Sequence, residues 1–325
     1  MYDIITIGSA TRDVFLISKA FRLIKSKEFA TGIGECVSLG SKIELDNVVF
    51  TTGGGGTNSA MTFAQLGKFK TAAITRLGDD EAGRDILNEL ALNEIDSSLS
   101  TVIKKGISGY STLLTTTTGE RTVLVHRGVS ADFKVSEMPW SRMKTKWLYV
   151  TSLAGNTALA LKIVQFAKKN GIRVAYNPGS DELKKGLRTL SPIIKELTVL
   201  NMNLEEAQLL AKIKTKDVAL LAKKIARPGL MLVLTDGPQG AYAHLDGTTW
   251  FARPRNIKVV SRTGAGDAFG SALVASLMAD KGIDEALQIG ILNSESVIQS
   301  YGAKIGILTH WPTNALMKKI KIKTL

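Results

Sequence analysis

The residues best suited to chemistry form one short segment, Thr263-Gly264-Ala265-Gly266-Asp267. A β-prone run ends just before it, and a small-residue stretch typical of a helix follows. Glycines at such a junction leave backbone N–H groups unobstructed at the positive end of the helix, which suits developing anionic charge. A carboxylate in the first turn can accept a proton from a hydroxyl that attacks phosphorus. Asp267 is therefore a candidate general base, although the spacing alone equally allows a residue that only stabilises the helix start.

The glycine pattern of this segment differs from the common nucleotide loops. It is G-x-G-x-x-x-G and lies late in the chain, and the first β-prone run carries no G-x-G-x-x-G, which argues against a dinucleotide-binding fold. The sequence also contains no G-x-x-x-x-G-K-[ST], which excludes a P-loop enzyme.

A second glycine-rich segment, Thr52-Gly53-Gly54-Gly55-Gly56-Thr57-Asn58, precedes a small-residue helical stretch. Four consecutive glycines are unfavourable in regular structure, so we expect a close backbone approach here. Asn58 can both donate hydrogen bonds to vicinal hydroxyls and accept them. The alternative is a flexible loop that leads into a packed helix. Further on, Gly78-Asp79-Asp80 is typical of a turn and an acidic helix cap.

These motifs need a scaffold, and the sequence alternates short β-prone runs with amphipathic helical stretches. Strands are predicted at 2–8, 71–76, 147–150, 172–176, 198–200 and 230–234, and helices at 58–66, 81–92, 158–169, 204–212 and 265–279. Such alternation predicts an α/β fold in which helices cover both faces of a mainly parallel sheet.

Two stretches depart from this alternation. Residues 14–50 mix short apolar pieces with glycines, while residues 110–117 and 121–125 are β-prone and flank Thr118-Gly119-Glu120, which predicts a hairpin. Together they could form a small β-sheet that stands off the core as a lid. The predicted division is a core of 1–13, 51–105 and 127–325, with lid excursions at 14–50 and 106–126.

Composition narrows the class of protein. A hydrophobic share of 44% with 22% charged residues indicates a globular chain, and the single cysteine, Cys36, excludes an internal disulfide framework and fits a reducing cytoplasm. We see neither a signal peptide nor a run of ~18 apolar residues, so we expect a cytoplasmic protein that does not enter a membrane. The net charge of +13 is scattered over helical faces, so we expect it to attract anionic ligands rather than a specific nucleic acid.

Taken together, the motifs closely resemble those of the ribokinase-like (pfkB-type) carbohydrate kinase family. The matching residues are a glycine pair followed by Asn58-Ser59-Ala60, then Gly78-Asp79-Asp80-x-x-Gly83, then Gly264-Ala265-Gly266-Asp267, in an order and spacing that agree from Ile4 to about Gly302. The resemblance implies a three-layer α/β/α fold with a small β lid. It also implies an ATP- and Mg²⁺-dependent kinase, with Asp267 as its catalytic base.

The resemblance implies roles for individual residues as well. The substrate would be bound by Asp13, Gly54, Gly55 and Asn58. Asn203 and Glu206 match an N-x-x-E motif that organises Mg²⁺ through water. The backbone N–H groups of Gly264, Ala265 and Gly266 would stabilise the transferring phosphoryl group. The nucleotide would be bordered by Asn177, Thr235, Gly237, Gly240 and Asn293.

The sequence departs from the family pattern at two places. Ser261-Arg262-Thr263 stands where the family usually has Asp-Thr-Thr, and loss of that aspartate argues against activation by a monovalent cation such as potassium. Arg262 could instead place a positive charge near the phosphates. Arg127-Gly128-Val129-Ser130 stands where many members have Gly-Ala-Asn over the sugar, which leaves the identity of the substrate open.

We therefore expect transfer of the ATP γ-phosphoryl group to a primary hydroxyl of a small free sugar, ribose or a related one. A nucleoside is the alternative acceptor, and it would need an apolar base pocket, for example from Phe15, Phe50 or Val125. A non-catalytic regulatory module on the same scaffold is a third interpretation. In this family the lid often also forms a dimer contact, so a homodimer through the lid is expected as well.

Overall fold

The computed structural model describes residues 1–29, 31–117 and 120–325. Its strands are β1 (Tyr2–Ile7), β2 (Thr11–Ile17), β3 (Arg22–Lys25), β4 (Ile33–Cys36), β5 (Asn47–Gly53), β6 (Thr71–Ile74), β7 (Arg76–Gly78), β8 (Thr101–Ile103), β9 (Gly109–Thr115), β10 (Arg121–His126), β11 (Thr145–Val150), β12 (Arg173–Tyr176), β13 (Val199–Asn203), β14 (Met231–Thr235), β15 (Ala241–Leu245), β16 (Thr248–Ala252) and β17 (Ile322–Thr324). Its helices are α1 (Gly55–Gln65), α2 (Glu81–Leu92), α3 (Thr157–Lys169), α4 (Ser180–Leu183), α5 (Gly186–Ile194), α6 (Leu204–Ala211), α7 (Val218–Ile225), α8 (Ala265–Met278), α9 (Ile283–Val297) and α10 (Asn314–Met317). Within these described ranges, no helix is both long and apolar enough to cross a membrane.

The central sheet has the strand order β17-β16-β15-β14-β13-β12-β11-β1-β6. The strands from β6 to β14 in this order are parallel, and β15, β16 and β17 extend the sheet as antiparallel neighbours. Parallel neighbours need crossover connections, and here helices supply most of them. The carboxyl ends of the parallel strands consequently lie along one edge, where polar strand-end residues gather.

Helices cover both faces of the central sheet because alternate residues of its strands point to opposite sides. Ile5 and Ile7 of β1 belong to a buried cluster with apolar residues of α3, α5, α6 and α7. Ile4, which precedes Ile5 and points to the other face, belongs to a second cluster with α8 and α9. The fold is therefore a three-layer α/β/α arrangement, and the predicted fold class is confirmed.

A separate small sheet has the order β10-β9-β2-β5. β9 and β10 pair antiparallel from Arg121 opposite Thr115 to His126 opposite Tyr110, so the predicted hairpin strands are present. The predicted turn falls partly on Thr118 and Gly119, which lie outside the described residues. The small sheet also takes in residues 11–13 and 51–53, which the sequence analysis assigned to the core. Its role as a lid stays a proposal.

Local sequence signals predicted the bounds of some elements correctly and of others only in part. Helix α2 spans Glu81–Leu92, as predicted, and the side chain of Asp80 caps it by accepting a hydrogen bond from the Gly83 N–H. The predicted strand at 71–76 is divided instead. β6 ends at Ile74. β7 leaves the central sheet and pairs with β8, and the Thr75 carbonyl just before it accepts a hydrogen bond from Thr101.

Candidate active site

A cavity of about 270 Å³ lies between the small sheet and the starts of α1 and α8. Its lining includes the predicted residues Asp13, Gly54, Asn58, Gly264 and Asp267, together with Ser9, Thr11, Ser111, Val125, Arg127, Ser130 and Thr263. A larger depression of about 870 Å³ lies along residues 18–46 and contains none of the predicted site residues. The smaller cavity therefore brings together residues that sequence reasoning selected for chemistry.

Asp267 lies in the first turn of α8, half-buried at the cavity wall. The Nδ2 atom of Asn58 donates a hydrogen bond to Asp267 Oδ2 at 2.8 Å, which joins the starts of α1 and α8. Loss of water around the carboxylate raises the pKa of Asp267, and the negative charge of Asp13 raises it further. The Asn58 hydrogen bond and the positive charge of Lys304 act in the opposite direction. This arrangement suits a carboxylate that must exchange a proton.

Gly264 precedes α8 with φ at 78°, a left-handed conformation that side chains rarely adopt. A Cβ atom at this position would lie 2.4 Å from the Cβ of Ala303 and 2.6 Å from its Cα. Only glycine therefore allows the chain to turn here and expose the first N–H groups of α8. Ala265 and Gly266 are the first two helical residues, so the three predicted phosphoryl-stabilising residues lie at one helix start.

Asp13 projects from β2 into the cavity and is 5% exposed. The Thr11 hydroxyl donates to its Oδ1 atom at 2.8 Å. Burial raises the pKa of Asp13, while hydrogen bonds from Thr11 and Ser111 and the charge of Lys304 lower it. Thr11 and Asp13 are two residues apart on the strand, so their side chains point to the same face, and this face lines the cavity.

The glycine loop adopts a more ordered structure than the flexible-loop alternative. Helix α1 begins at Gly55, so part of the glycine run is helical, and Gly54 holds φ at 92° before it. A Cβ atom on Gly54 would lie 2.5 Å from the Ser9 carbonyl oxygen. The close approach that the sequence predicted is therefore made to the chain's own backbone beside the cavity.

Three predicted polar residues lie at carboxyl ends of adjacent parallel strands. Asn177 follows β12 and donates through Nδ2 to the Asn201 carbonyl at 2.8 Å. Asn203 ends β13 and lies opposite Thr235, which ends β14. The sheet therefore places these residues along its carboxyl edge, although none of the three lines the cavity itself.

Asn203 and Glu206 form a capping box at the start of α6. Asn203 Oδ1 accepts from the Glu206 N–H at 2.8 Å, and Glu206 Oε2 accepts from the Asn203 N–H at 2.9 Å. Burial raises the pKa of Glu206, and the negative charge of Asp267 raises it further. In the part of the chain that the structure describes, no group of three or more metal-ligating side chains occurs. That Asn203 and Glu206 hold a hydrated Mg²⁺ through water stays a prediction.

The remaining nucleotide candidates lie in different settings. Gly237 and Gly240 belong to the turn between β14 and β15, where Gly237 is exposed and Gly240 is buried. Asn293 on α9 is fully buried, with Nδ2 donating to the Ala268 carbonyl and Oδ1 accepting from the Leu308 N–H, both at 2.9 Å. Both ends of its amide are satisfied within the protein. Asn293 is therefore not among the proposed nucleotide contacts.

The two departures from the family pattern have distinct environments. Ser261 is buried, and its hydroxyl oxygen accepts from the Thr263 N–H at 3.3 Å. Arg262 is exposed, and its charge, together with burial, lowers the pKa of Arg121 on β10. The Ser130 hydroxyl donates to the Arg127 carbonyl at 2.6 Å, so its proton is already engaged within the protein.

Some residues beside the cavity were missed by sequence reasoning. Ser111 on β9 and Thr11 on β2 reach it because their strands pair in parallel, with Thr11 opposite Gly109. Lys304 lies just behind it and influences both cavity carboxylates. The alternating polar residues Thr11 and Asp13 were a usable signal, whereas nothing local to Lys304 marks it.

Comparisons with known proteins agree with this geometry. A ribokinase of Haemophilus influenzae is 24% identical over 282 residues, which cover 84% of this chain and 90% of that protein. A Burkholderia thailandensis nucleoside kinase in complex with inosine has a similar fold, with a TM-score of 0.74, 18% identity, and coverage of 97% of this chain and 96% of that one. A ribokinase of Cryptococcus neoformans in complex with ADP gives a TM-score of 0.71, 20% identity, and coverage of 97% and 99%.

A family-level comparison completes the picture. The profile of the pfkB family carbohydrate kinases matches residues 4–310, which include every predicted site residue. Because this match spans nearly the whole chain, the protein belongs to the pfkB family of carbohydrate kinases.

Proposed function

We propose that this kinase transfers the γ-phosphoryl group of ATP to a primary hydroxyl of a small free sugar, ribose or a close relative. The observation that carries the proposal is the cavity of about 270 Å³ that Asp13, Asn58 and Asp267 line together. It is smaller than the roughly 300–1,000 Å³ of sites that hold drug-sized ligands. Asn58 Oδ1 is buried and has no hydrogen-bond partner among the described residues, so it can accept from a substrate hydroxyl.

In this proposal Asp267 accepts the proton of the attacking hydroxyl. Asn58 holds the Asp267 carboxylate through its 2.8 Å hydrogen bond, and Asp13 binds other hydroxyls of the sugar. The N–H groups at the start of α8, from Gly264 to Gly266, stabilise charge on the transferring group. Positioning and electrostatics together supply most of the catalysis expected for phosphoryl transfer.

Magnesium binding is part of the proposal. Asn203 and Glu206 would hold water molecules of a hydrated Mg²⁺, which neutralises phosphate charge when bound. Glu206 is suited to this because its Oε2 atom is fixed by the Asn203 N–H and the carboxylate already faces Asp267. The nucleotide would lie along the carboxyl edge of the sheet, beside Asn177 and Thr235.

A nucleoside is the second candidate acceptor. Val125 of β10 lines the cavity and is 55% exposed, so it offers an apolar surface that a base could cover. A structural neighbour that binds inosine shares the fold. The small cavity favours the free sugar over this alternative.

The small sheet is proposed as a lid that excludes water from the reaction and limits wasteful ATP hydrolysis. It already contributes Asp13, Ser111 and Val125 to the cavity wall. We also propose a cytoplasmic location, because the free Cys36 is the sole cysteine of the sequence and fits a reducing compartment.

Release of ADP across a panel of pentoses, hexoses and nucleosides tests the proposal. We expect the highest kcat/KM with ribose or another free pentose, and the Asp267→Asn variant run in parallel excludes a contaminating kinase. Preference for a nucleoside would replace the sugar with the second candidate. ATP binding without turnover of any acceptor would favour the regulatory module.

A further inference from the structure

A buried cation lies directly behind the cavity. Lys304 follows α9 and is 8% exposed. Its Nζ atom lies 2.5 Å from Glu89 Oε2 on α2 and also donates to the hydroxyl of Thr52 at the end of β5. Burying an ammonium group is costly, so a lysine in this position needs a structural or functional reason.

The residues around Lys304 pack close to both cavity carboxylates. Its neighbour Ala303 packs against Gly264, at the turn that leads into Asp267. On the other side, Thr52 precedes Gly53, and the Asp13 carboxylate lies so close to Gly53 that a Cβ there would be 2.0 Å from Asp13 Oδ2. The loop that carries Lys304 therefore contacts the backbone beneath both carboxylates.

Lys304 and Glu89 do not form an isolated ion pair. Lys304 is bonded to Glu89, yet its positive charge also acts on Asp13 and Asp267. A lysine that served only to neutralise Glu89 would not need to act on two further carboxylates. The charge of one ammonium group thus acts on three acidic side chains, two of which belong to the proposed catalytic site.

We propose that Lys304 is a positioning residue whose buried positive charge keeps Asp13 and Asp267 ionised, so that Asp267 can accept a proton. The inference rests on the proposed function for the role of Asp267 as base. Lys304 itself touches neither the acceptor nor the phosphates in this proposal. It acts through the two carboxylates, from behind the cavity wall.

The sign of the effect follows from the charges. Burial raises the pKa of both aspartates, which favours their protonated forms, and Lys304 opposes this for each of them. Removing the lysine charge should therefore raise both pKa values, whereas removing the negative charge of Glu89 should lower them. Opposite shifts from the two members of one ion pair distinguish an electrostatic role from simple loss of packing.

Other groups also face these carboxylates and remain in every variant. Glu206 of α6 and Tyr149 of β11 face Asp267. Arg12 faces Asp13 and forms a 2.8 Å salt bridge with Asp85 on α2. Because none of them is altered, differences between variants report on Lys304 and Glu89.

The test is a ¹³C NMR titration of the aspartate carboxyl carbons in the full-length protein without substrate. Asp13→Asn and Asp267→Asn assign the two signals, and the titration compares the wild type with Lys304→Met and Glu89→Gln. We expect Lys304→Met to raise both pKa values by about one pH unit and Glu89→Gln to lower them. Unchanged values in Lys304→Met, or shifts in the same direction in both variants, would overturn the proposal.

Two further variants serve as a replacement for Lys304→Met and as a control. If Lys304→Met does not fold, the double variant Glu89→Gln with Lys304→Met is compared with Glu89→Gln alone, because it leaves no buried carboxylate without a partner. Lys146→Met is the matched control. It removes a lysine 2.9 Å from Asp3, whose pKa that lysine lowers, so only the Asp3 signal should move.

A kinetic measurement separates this inference from the proposed function. With the best acceptor of the panel, Lys304→Met should move the acidic limb of the kcat/KM profile to higher pH by the shift that NMR records. Near-normal turnover of Asp267→Asn would refute the base assignment and leave the NMR result standing. If Lys304→Met changes the pKa values measured by NMR but leaves the acidic limb of kcat/KM at the same pH, the link between Lys304 and the reaction is refuted.

Discussion

An acidic residue in the first turn of a helix can serve the helix or the reaction, and this chain has two such residues in different surroundings. Asp267 lies in the first turn of α8 at the cavity, whereas Asp284 lies in the first turn of α9 away from it. Both can stabilise a helix start through the helix dipole. Only Asp267 is hydrogen-bonded to a residue of the proposed substrate loop.

Replacing Asp267 by Asn should lower kcat by at least ~10²-fold, because a general base contributes about that much. Binding of ATP, measured by calorimetry, should be retained, since the fold and the N–H groups at the start of α8 are unchanged. Asp284→Asn is the control and should keep near-normal turnover. If the two variants behave alike, Asp267 only stabilises its helix.

The pH dependence of the reaction should reflect the environment of Asp267. Burial raises its pKa above the ordinary value, so the ionised base is present at high pH and is lost as the pH falls through this raised pKa. The Asn58 hydrogen bond opposes the shift, so Asn58→Ala should raise the pKa further. The acidic limb of kcat/KM should then move upward by about one pH unit.

Ser59→Ala is a suitable control for the Asn58 variant, because Ser59 is the next residue of α1 and is buried but does not line the cavity. Its acidic limb should match that of the wild type. An unmoved limb in Asn58→Ala would mean that Asp267 is not the group whose ionisation limits the rate.

At the scale of elements, the capping box of α6 raises the question of whether Glu206 serves the helix or a metal. Glu206→Gln keeps an oxygen for the Asn203 N–H but removes the charge. We therefore expect a higher Mg²⁺ concentration for half-maximal activity, with a melting temperature close to that of the wild type. Chelation of Mg²⁺ should abolish turnover in both proteins.

The matched control for this prediction is the cap of α7. Asp217 Oδ1 accepts from the Leu220 N–H at 3.1 Å, and Asp217→Ala removes this cap far from the strand-end residues. It should cost ~1 kcal/mol of stability and leave the Mg²⁺ dependence unchanged. If Glu206→Gln lowers stability without changing the Mg²⁺ requirement, its role is confined to the helix.

Sequence reasoning worked best for elements with local signals. The start of α2 carries an acidic cap at Asp80, and its predicted range matches the structure. The hairpin of β15 and β16 was missed, although the two-residue turn Asp246-Gly247 between them is a usual hairpin signal. β17 pairs with β16 from the far end of the chain, and no local pattern reports such pairing.

The site was predictable where glycine and acidic motifs marked it. Asp13, Asn58 and Asp267 were selected from their motifs and share one cavity. Lys304 could not be selected, because its partners Glu89 and Thr52 lie 215 and 252 positions away and the pairing depends on the finished fold. Asn293 was selected from its position in the sequence. That position does not reveal that both ends of its amide are hydrogen-bonded to neighbouring elements.

At the scale of the whole molecule, the outer strand of the small sheet predicts an assembly. Val123 and Leu124 on β10 are 42% and 55% exposed, and Phe50 on β5, at the opposite edge of the sheet, is 61% exposed. We expect a homodimer that covers Val123 and Leu124, because exposed apolar surface marks interaction sites. Light scattering should show a dimer for the wild type and a monomer for Leu124→Glu.

Leu92→Glu is the control for that prediction. Leu92 ends α2 and is 84% exposed, so a charge there changes an equally apolar side chain away from the small sheet. Its molecular mass in solution should equal that of the wild type. A monomeric wild type would contradict the proposed contact.

The hydrogen bond between Asn58 and Asp267 joins residues 209 positions apart, and it has a consequence for the time course of synthesis. A ribosome delivers the chain from its N-terminus at about 5–20 residues per second. The parallel strands are complete once Thr235 has emerged, well before Asp267 and Lys304. A growing chain can thus begin to fold its sheet while it still lacks Asp267, so ATP in the cell meets the proposed base only after residue 267 has been added.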